Sequence, residues 1–174
     1  TTALTLHYLI ISEPSANTTL LLNGMDLNIT APAGEIELPS RRKDIIDLNG
    51  RTLTFGTAGI TSSISGGGSF KGSTSSNLSF LGTGNVGIVR FAAVNQNLNN
   101  LSIDLSAAGE VELGSNLNLA GNLNLTNGRL KLSLYNLTLA AASSITGTFS
   151  NSTMVAAPGT GELRKTVTTT GAFA

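Results

Sequence analysis

The sequence predicts an all-β chain wound as a right-handed parallel β-helix, a solenoid with about 20–26 residues per rung. Three observations lead there. The first is a beat of apolar–x–apolar triplets between Val111 and Leu139: Val111-Glu112-Leu113, Leu117-Asn118-Leu119, Leu123-Asn124-Leu125, Leu130-Lys131-Leu132 and Leu137-Thr138-Leu139. Alternation of this kind puts both apolar side chains on one face of a short strand and the middle one on the other. The second is what separates the triplets, Gly114-Ser115-Asn116, Ala120-Gly121-Asn122 and Asn127-Gly128, which turn the backbone cheaply. Three beats pass between Leu117 and Leu137, so that span is one turn of a three-faced helix. The third is an internal repeat: Leu22 to Ile29 aligns with Leu48 to Phe55 as Leu-Asn-Gly-x-x-Leu-x-apolar, and Leu134 to Leu139 is a looser echo.

Along the chain, Leu4-Thr5-Leu6 opens the beat, and the apolar run Tyr8 to Ile11 is too short to span a membrane. The Asn23-Gly24 and Asn49-Gly50 pairs supply the positive φ of tight corners. Two intervals, near 30–46 and 64–77, read as irregular loops. The first holds Pro32, Pro39 and the charge cluster Arg41-Arg42-Lys43-Asp44; the second holds Gly66-Gly67-Gly68, Phe70 and Ser73 to Ser76. Regular beats return at Leu78-Ser79-Phe80, Val86-Gly87-Ile88 and Leu101-Ser102-Ile103, and no stretch reads as a helix of useful length. Residues 1–174 make a single β-helical segment. The beat is already running at Leu4 and still running at Thr170 to Ala174, with no signal peptide before it, so an interior piece of a longer chain is expected.

Composition narrows the function classes. Only 11% of the 174 residues are charged, with net charge zero, so nucleic-acid binding and attachment to an anionic membrane are not expected. Without cysteine there is neither a disulfide framework nor a thiolate metal site, and His7 is the single histidine. The carboxylates able to act in pairs are Glu35 with Glu37 and Glu110 with Glu112, because residues two apart on a strand share a face. Val111 and Leu113 alternate with Glu110 and Glu112, so those carboxylates point to solvent, where charges are usually only hydrated. Arg41-Arg42-Lys43 could clasp an acidic glycan, but Asp44 and Asp47 follow at once, which favours a solvated loop. Gly66-Gly67-Gly68 lacks the strand–loop–helix setting and the Gly-Lys-Ser/Thr ending of a phosphate loop.

Asn116, Asn118, Asn122, Asn124, Asn127 and Asn136 recur at similar points of successive beats, and stacking would turn their amides into hydrogen-bonded ladders. Asn-x-Ser/Thr matches at Asn17, Asn28, Asn77, Asn100, Asn124, Asn136 and Asn151 follow from the abundance of those residues. Thr52, Thr54 and Thr166 to Thr170 give threonine rows too short for an ice-binding face. Aromatics are few (Phe55, Phe70, Phe80, Phe91, Phe149, Phe173, Tyr8 and Tyr135), and the phenylalanines at strand positions read as core rather than sugar platforms.

The run Leu113 to Leu132 with Leu137-Thr138-Leu139, the segment Met154 to Lys165 and the stretch Asp47 to Phe55 resemble the repetitive secreted cell-surface proteins of Bacteroidetes. Roughly two thirds of the chain shares the style, best from about Leu98 onward. The resemblance implies secretion, often by the gliding-associated (type IX) route, and a place in adhesins or large modular surface proteins. The expected function is therefore a non-catalytic structural or adhesive segment forming a stiff rod for adhesion, gliding or matrix assembly. Its expected partners are surface glycans or further copies of itself through exposed rungs. No catalytic residue, metal ligand or cofactor site is expected; the alternative is a polysaccharide-active β-helix enzyme or carbohydrate-binding module, with convergent carboxylates.

Overall fold

The structure is a computed structural model and describes residues 3–11, 17–30, 35–38 and 44–168. Strands this short, each with one apolar side, cannot bury that side alone and do so by stacking on copies of themselves. The result is a parallel β-solenoid of about six turns with three faces and, among the described residues, no helix. Face one stacks β1 (Leu4–Leu6), β4 (Leu27–Ile29), β7 (Thr52–Phe55), the first parts of β10 (Asn77–Val89), β12 (Asn100–Leu113) and β14 (Leu123–Lys131), and β16 (Ile145–Gly147). Face two stacks β2 (Tyr8–Ile10), β5 (Glu35–Leu38), β8 (Ser63–Gly66), the second parts of the same three long strands, and β17 (Thr153–Ala156). Face three carries β3 (Thr19–Leu21), β6 (Ile45–Asp47) and β9 (Ser69–Lys71), then β11 (Asn97–Leu98), β13 (Leu117–Leu119), β15 (Leu137–Leu139) and β18 (Leu163–Lys165).

Register follows the beat. Leu4, Leu27, Leu53, Leu78, Leu101, Leu123 and Ile145 form one column on face one, each one rung above the last. Leu117 pairs with Leu137, so that span is one turn on face three, and Leu27 pairs with Leu53 at the offset of the internal repeat. The looser echo at Leu137 to Leu139 belongs to face three, whereas Leu27 to Ile29 lies on face one. Corner length varies more than the beat suggests: Ile36 pairs with Ile64, 28 residues on, and Val111 with Leu130, only 19 on.

The two intervals read as loops contain ladder strands. β5 and β6 lie within or at the edge of the first, and β8 and β9 within or at the edge of the second. Phe70 and Ile36 are fully buried there, because one inward apolar residue between outward polar or charged ones still satisfies a short strand. Val86-Gly87-Ile88 is not a regular beat either. The register shifts between Thr83 and Gly87, so Val86 and Val89 are buried while Ile88 faces solvent. Face three is interrupted once. Phe91 pairs with Phe70 below, the chain swings out at Val94, and β11 then pairs with β13 above.

The interior is a continuous column of Leu, Ile, Val and Phe. Each such side chain taken from water contributes about 1.5–3 kcal/mol. Phe55 stacks edge-to-face on Phe80 at 6.2 Å, and Phe70 lies 6.1 Å from Phe91 one rung on. Corners are tight. Asn49 and Gly50 both adopt positive φ, 45° and 76°. Gly82 sits where a Cβ would come within 2.3 Å of the Ile60 carbonyl, so no other residue fits that corner. One rung on, Ala107 and Ala108 both take φ of 53°, a conformation L-residues enter at a cost.

The two ends differ. Inward positions of the first rung are all apolar (Leu4, Leu6, Leu9, Ile11, Leu20, Leu22), and among the described residues β1, β2 and β3 pair on one edge only. Inward positions of the last rung include Gly147, Thr153 and Lys165, which stand above Leu125, Gly128 and Leu139. Lys165 donates from Nζ to the Ser143 carbonyl.

Candidate functional site

On face two, Glu110 and Glu112 point outward between buried Val111 and Leu113, and the next rung places Arg129 and Lys131 in register beside them. Lys131 Nζ lies 2.9 Å from Glu112 Oε2 and 3.8 Å from Glu110 Oε1, and Arg129 Nε lies 3.4 Å from Glu110 Oε2. Ser133 donates to Glu112 Oε1 at 2.7 Å. That hydrogen bond, then the one from Lys131, holds the Glu112 carboxyl below its usual range, and the Glu112 hydrogen bond holds Lys131 above its own. A general acid needs the opposite shift. The pair borders a shallow depression of about 150 Å³ with Asn85, Gly87 and Ile88. Its charge is compensated by the adjacent rung.

Glu35 and Glu37 also share the outer side of face two, in register with Tyr8 and Ile10 below and Ser63 and Ser65 above. The Tyr8 hydroxyl donates to Glu37 Oε2 at 3.4 Å. Desolvation and then the two carboxylates raise the Tyr8 phenol above its ordinary value. The two glutamate pairs are separated by two rungs, β8 and the second part of β10, and no group of three His, Cys, Asp or Glu able to hold a metal occurs among the described residues. Arg41, Arg42 and Lys43 lie outside the described residues. Asp44 is fully buried and its Oδ1 accepts the Thr18 backbone N–H at 2.9 Å, so it is a corner brace rather than part of a surface charge cluster. His7 is exposed at the bend between β1 and β2, and Gly66 ends β8 without any helix to follow. Phe55, Phe70, Phe80 and Phe91 are core, whereas Phe149 is exposed.

The asparagines do build ladders, at two different corners. Before face one, Asn77 Oδ1 accepts from Asn100 (backbone N at 3.2 Å, Nδ2 at 3.0 Å) and from Asn99 Nδ2 at 3.3 Å. Asn100 Oδ1 in turn accepts the Asn122 N–H at 2.8 Å, and Asn122 Oδ1 accepts from Ser144 N at 2.9 Å. Asp26 begins the column by accepting Thr52 N at 2.8 Å. Before face three, Asn116 accepts Asn136 N and Asn136 accepts Glu162 N, both at 2.9 Å. Each carboxamide oxygen thereby satisfies a backbone donor at a corner where the strand ladder supplies none. Asn118, Asn124 and Asn127 bond outward rather than at corners, to Asn97, to Ser102 and Thr146, and to Asp104 respectively. Asn77, Asn99 and Asn100 are ladder members that the beat did not single out. Their signal was position: Asn77 and Asn100 stand immediately before a buried leucine, as Asn122 does.

A second concavity lies on the side of the rod. Thr74, Asn97, Asn118, Thr138 and Thr166, with Leu119, Ala120 and Ala140, line about 270 Å³ on face three, beside the interruption at Val94. Asn97, Asn118 and Thr138 stack in register along it. Thr52 and Thr54 lie on face one with Asn28 and Ser79 above and below, in a row of mixed Ser, Thr and Asn. No helix of the described residues is long and apolar enough to cross a membrane. The molecule is thus a three-faced parallel β-solenoid with self-satisfied outer rows. It matches no family model, no curated protein and no solved structure.

Proposed function

We propose that this chain is a non-catalytic structural or adhesive segment of a secreted, modular cell-surface protein, a stiff rod that holds other parts away from the cell. The observation that carries the reading is the pairing of outward groups between rungs: Glu112 with Lys131 and Ser133, Asp47 with Lys71, Asn77 with Asn100. Polar side chains spent on their neighbours stiffen the stack and leave few to converge on a substrate. A low-charge surface rich in Asn, Ser and Thr, together with the resemblance to secreted repeat proteins, supports placement at the cell surface. Surface glycans are the partners that suit such a surface.

The groove on face three favours a second reading, a carbohydrate-binding module. Its hydroxyls and amides are uncharged and suit a neutral saccharide. Both readings are tested by incubating the chain with acidic and neutral polysaccharides and scoring retention and shortened products. Neither retention nor products is the expected result for a purely structural rod. Retention without products selects the binding module, and products overturn the non-catalytic reading.

A further inference from the structure

Several outward polar side chains on faces one and two bond to the next rung, whereas a group on face three does not. On face one Asn124 joins Ser102 to Thr146, and on face two Glu112 holds Lys131 and Ser133. Among the side chains that line the face-three groove one such bond is made, from Asn118 Nδ2 to Asn97 Oδ1 at 3.3 Å. Asn97 Nδ2, Asn118 Oδ1 and the hydroxyls of Thr74, Thr138 and Thr166 have no hydrogen bond to any described residue. These amides and hydroxyls offer donors and acceptors together, and no charged residue lines the groove. Beside them Ala120 and Ala140, one rung apart, carry only methyl groups, so the polar side chains border an apolar strip. An apolar surface with a few placed polar groups is the makeup of a ligand site.

We infer that this groove binds a linear, uncharged, β-1,4-linked polysaccharide laid parallel to the solenoid axis. The inference rests on the carbohydrate-binding reading and adds to it the linkage and the direction of the ligand. Asn97, Asn118 and Thr138 recur one per rung along the groove. Rungs are set at the about 4.7–4.9 Å that separates paired strands. An extended chain of β-1,4-linked pyranoses advances by close to that length per sugar, so one sugar falls on each rung. An α-linked chain coils and loses the register. Ring hydroxyls both donate and accept, as the unspent amide and hydroxyl groups require, and the C–H face of each ring suits the methyl groups of Ala120 and Ala140. An acidic polysaccharide finds no cation in the groove. The direction across the rod offers less, because β13 and β15 are only three residues long before a corner follows.

The test is isothermal titration calorimetry with cello-oligosaccharides and N-acetylated chito-oligosaccharides of two to six units, against malto-oligosaccharides of the same lengths. Affinity for at least one β-linked series is expected to rise up to three units, one for each of Asn97, Asn118 and Thr138, and then to level off. Malto-oligosaccharides should bind more weakly at each length. Thr138→Val is expected to weaken binding about fivefold through one lost hydrogen bond. Ala120→Gln, which raises the apolar strip, should abolish binding, and Thr54→Val on face one should leave it unchanged. All three positions face outward, so each variant should keep the circular dichroism of the parent. Binding that ignores both Thr138→Val and Ala120→Gln overturns the groove and leaves the carbohydrate-binding reading standing. Equal affinity for malto-oligosaccharides overturns the axial match in the same way. No binding of any oligosaccharide by the folded chain overturns the inference together with that reading.

Discussion

The first and last described rungs have the same three-strand plan and differ at part of their inward positions, the last keeping Ile145, Val155 and Leu163 over Leu123, Leu130 and Leu137. At the first, every inward position is Leu or Ile, and three edges are open. At the last, Gly147, Thr153 and Lys165 occupy positions that hold Leu125, Gly128 and Leu139 one rung earlier, and Lys165 caps the Ser143 carbonyl. The difference teaches that register, rather than residue type, places a strand on its face, since Gly147, Thr153 and Lys165 pair in the same ladders as the leucines of other rungs.

The largest expected effect separates the ends from the middle. Phe80→Ala, in a fully buried ring that packs on Phe55, is expected to cost about 4 kcal/mol in denaturant unfolding. Leu4→Ala in the first described rung is expected to cost about 1 kcal/mol or less, because nearly half of Leu4 is in water. Equal losses would erase the distinction between end and interior. Next comes the corner ladder that ties the last rung down. Asn122→Ala removes the acceptor for Ser144 N and Oγ, and about 1.5 kcal/mol is expected. Hydrogen exchange should quicken first at Ser144 and β16, leaving the first rung unaltered.

A smaller effect of opposite sign is expected at the face one to face two corner, remote from both ends. Ala107→Gly relieves a positive φ and should raise stability by about 0.5 kcal/mol after the added entropy of the unfolded glycine, read as a higher melting temperature. An effect of similar size concerns the ion pairs above it. Glu112 has its folded pKa lowered, so its contribution is present above the unfolded value and is lost as pH falls through the folded one. Glu112→Gln should therefore cost about 0.5 kcal/mol at neutral pH, given the partial exposure of the pair. That difference should vanish in acid, when unfolding is followed between neutral pH and about pH 3.

Legibility in the sequence tracked regularity. From Val111 to Leu139 the apolar doublets are all buried, because each corner is short and each triplet maps to one face. In the first half the same three faces exist, but the corners are longer and β5, β6, β8 and β9 carry one or two inward apolar residues among Gly, Ser and charges. Too few alternations occur there to outweigh Pro39 or Gly66-Gly67-Gly68, so the strands looked like loops. At Val86 a bulge changed the spacing of buried residues from two to three. For the candidate site, the outward direction of Glu110 and Glu112 was readable from Val111 and Leu113. Their partners Arg129 and Lys131 were not, because they lie about a rung away and only the register brings them together.

The sequence by itself determined the approximate period, the inward side of the regular strands from Val111 to Leu139 and part of the asparagine columns, since those rest on spacing of two within a strand and recurrence between rungs. Only the tertiary structure decided which rung residue meets which: Lys131 on Glu112, Asn100 on Asn77, Lys165 over the Ser143 carbonyl. The reason is corner length. A corner that grows or shrinks by one or two residues changes how far apart in sequence the residues that meet across rungs lie, while the local pattern within each strand stays unchanged.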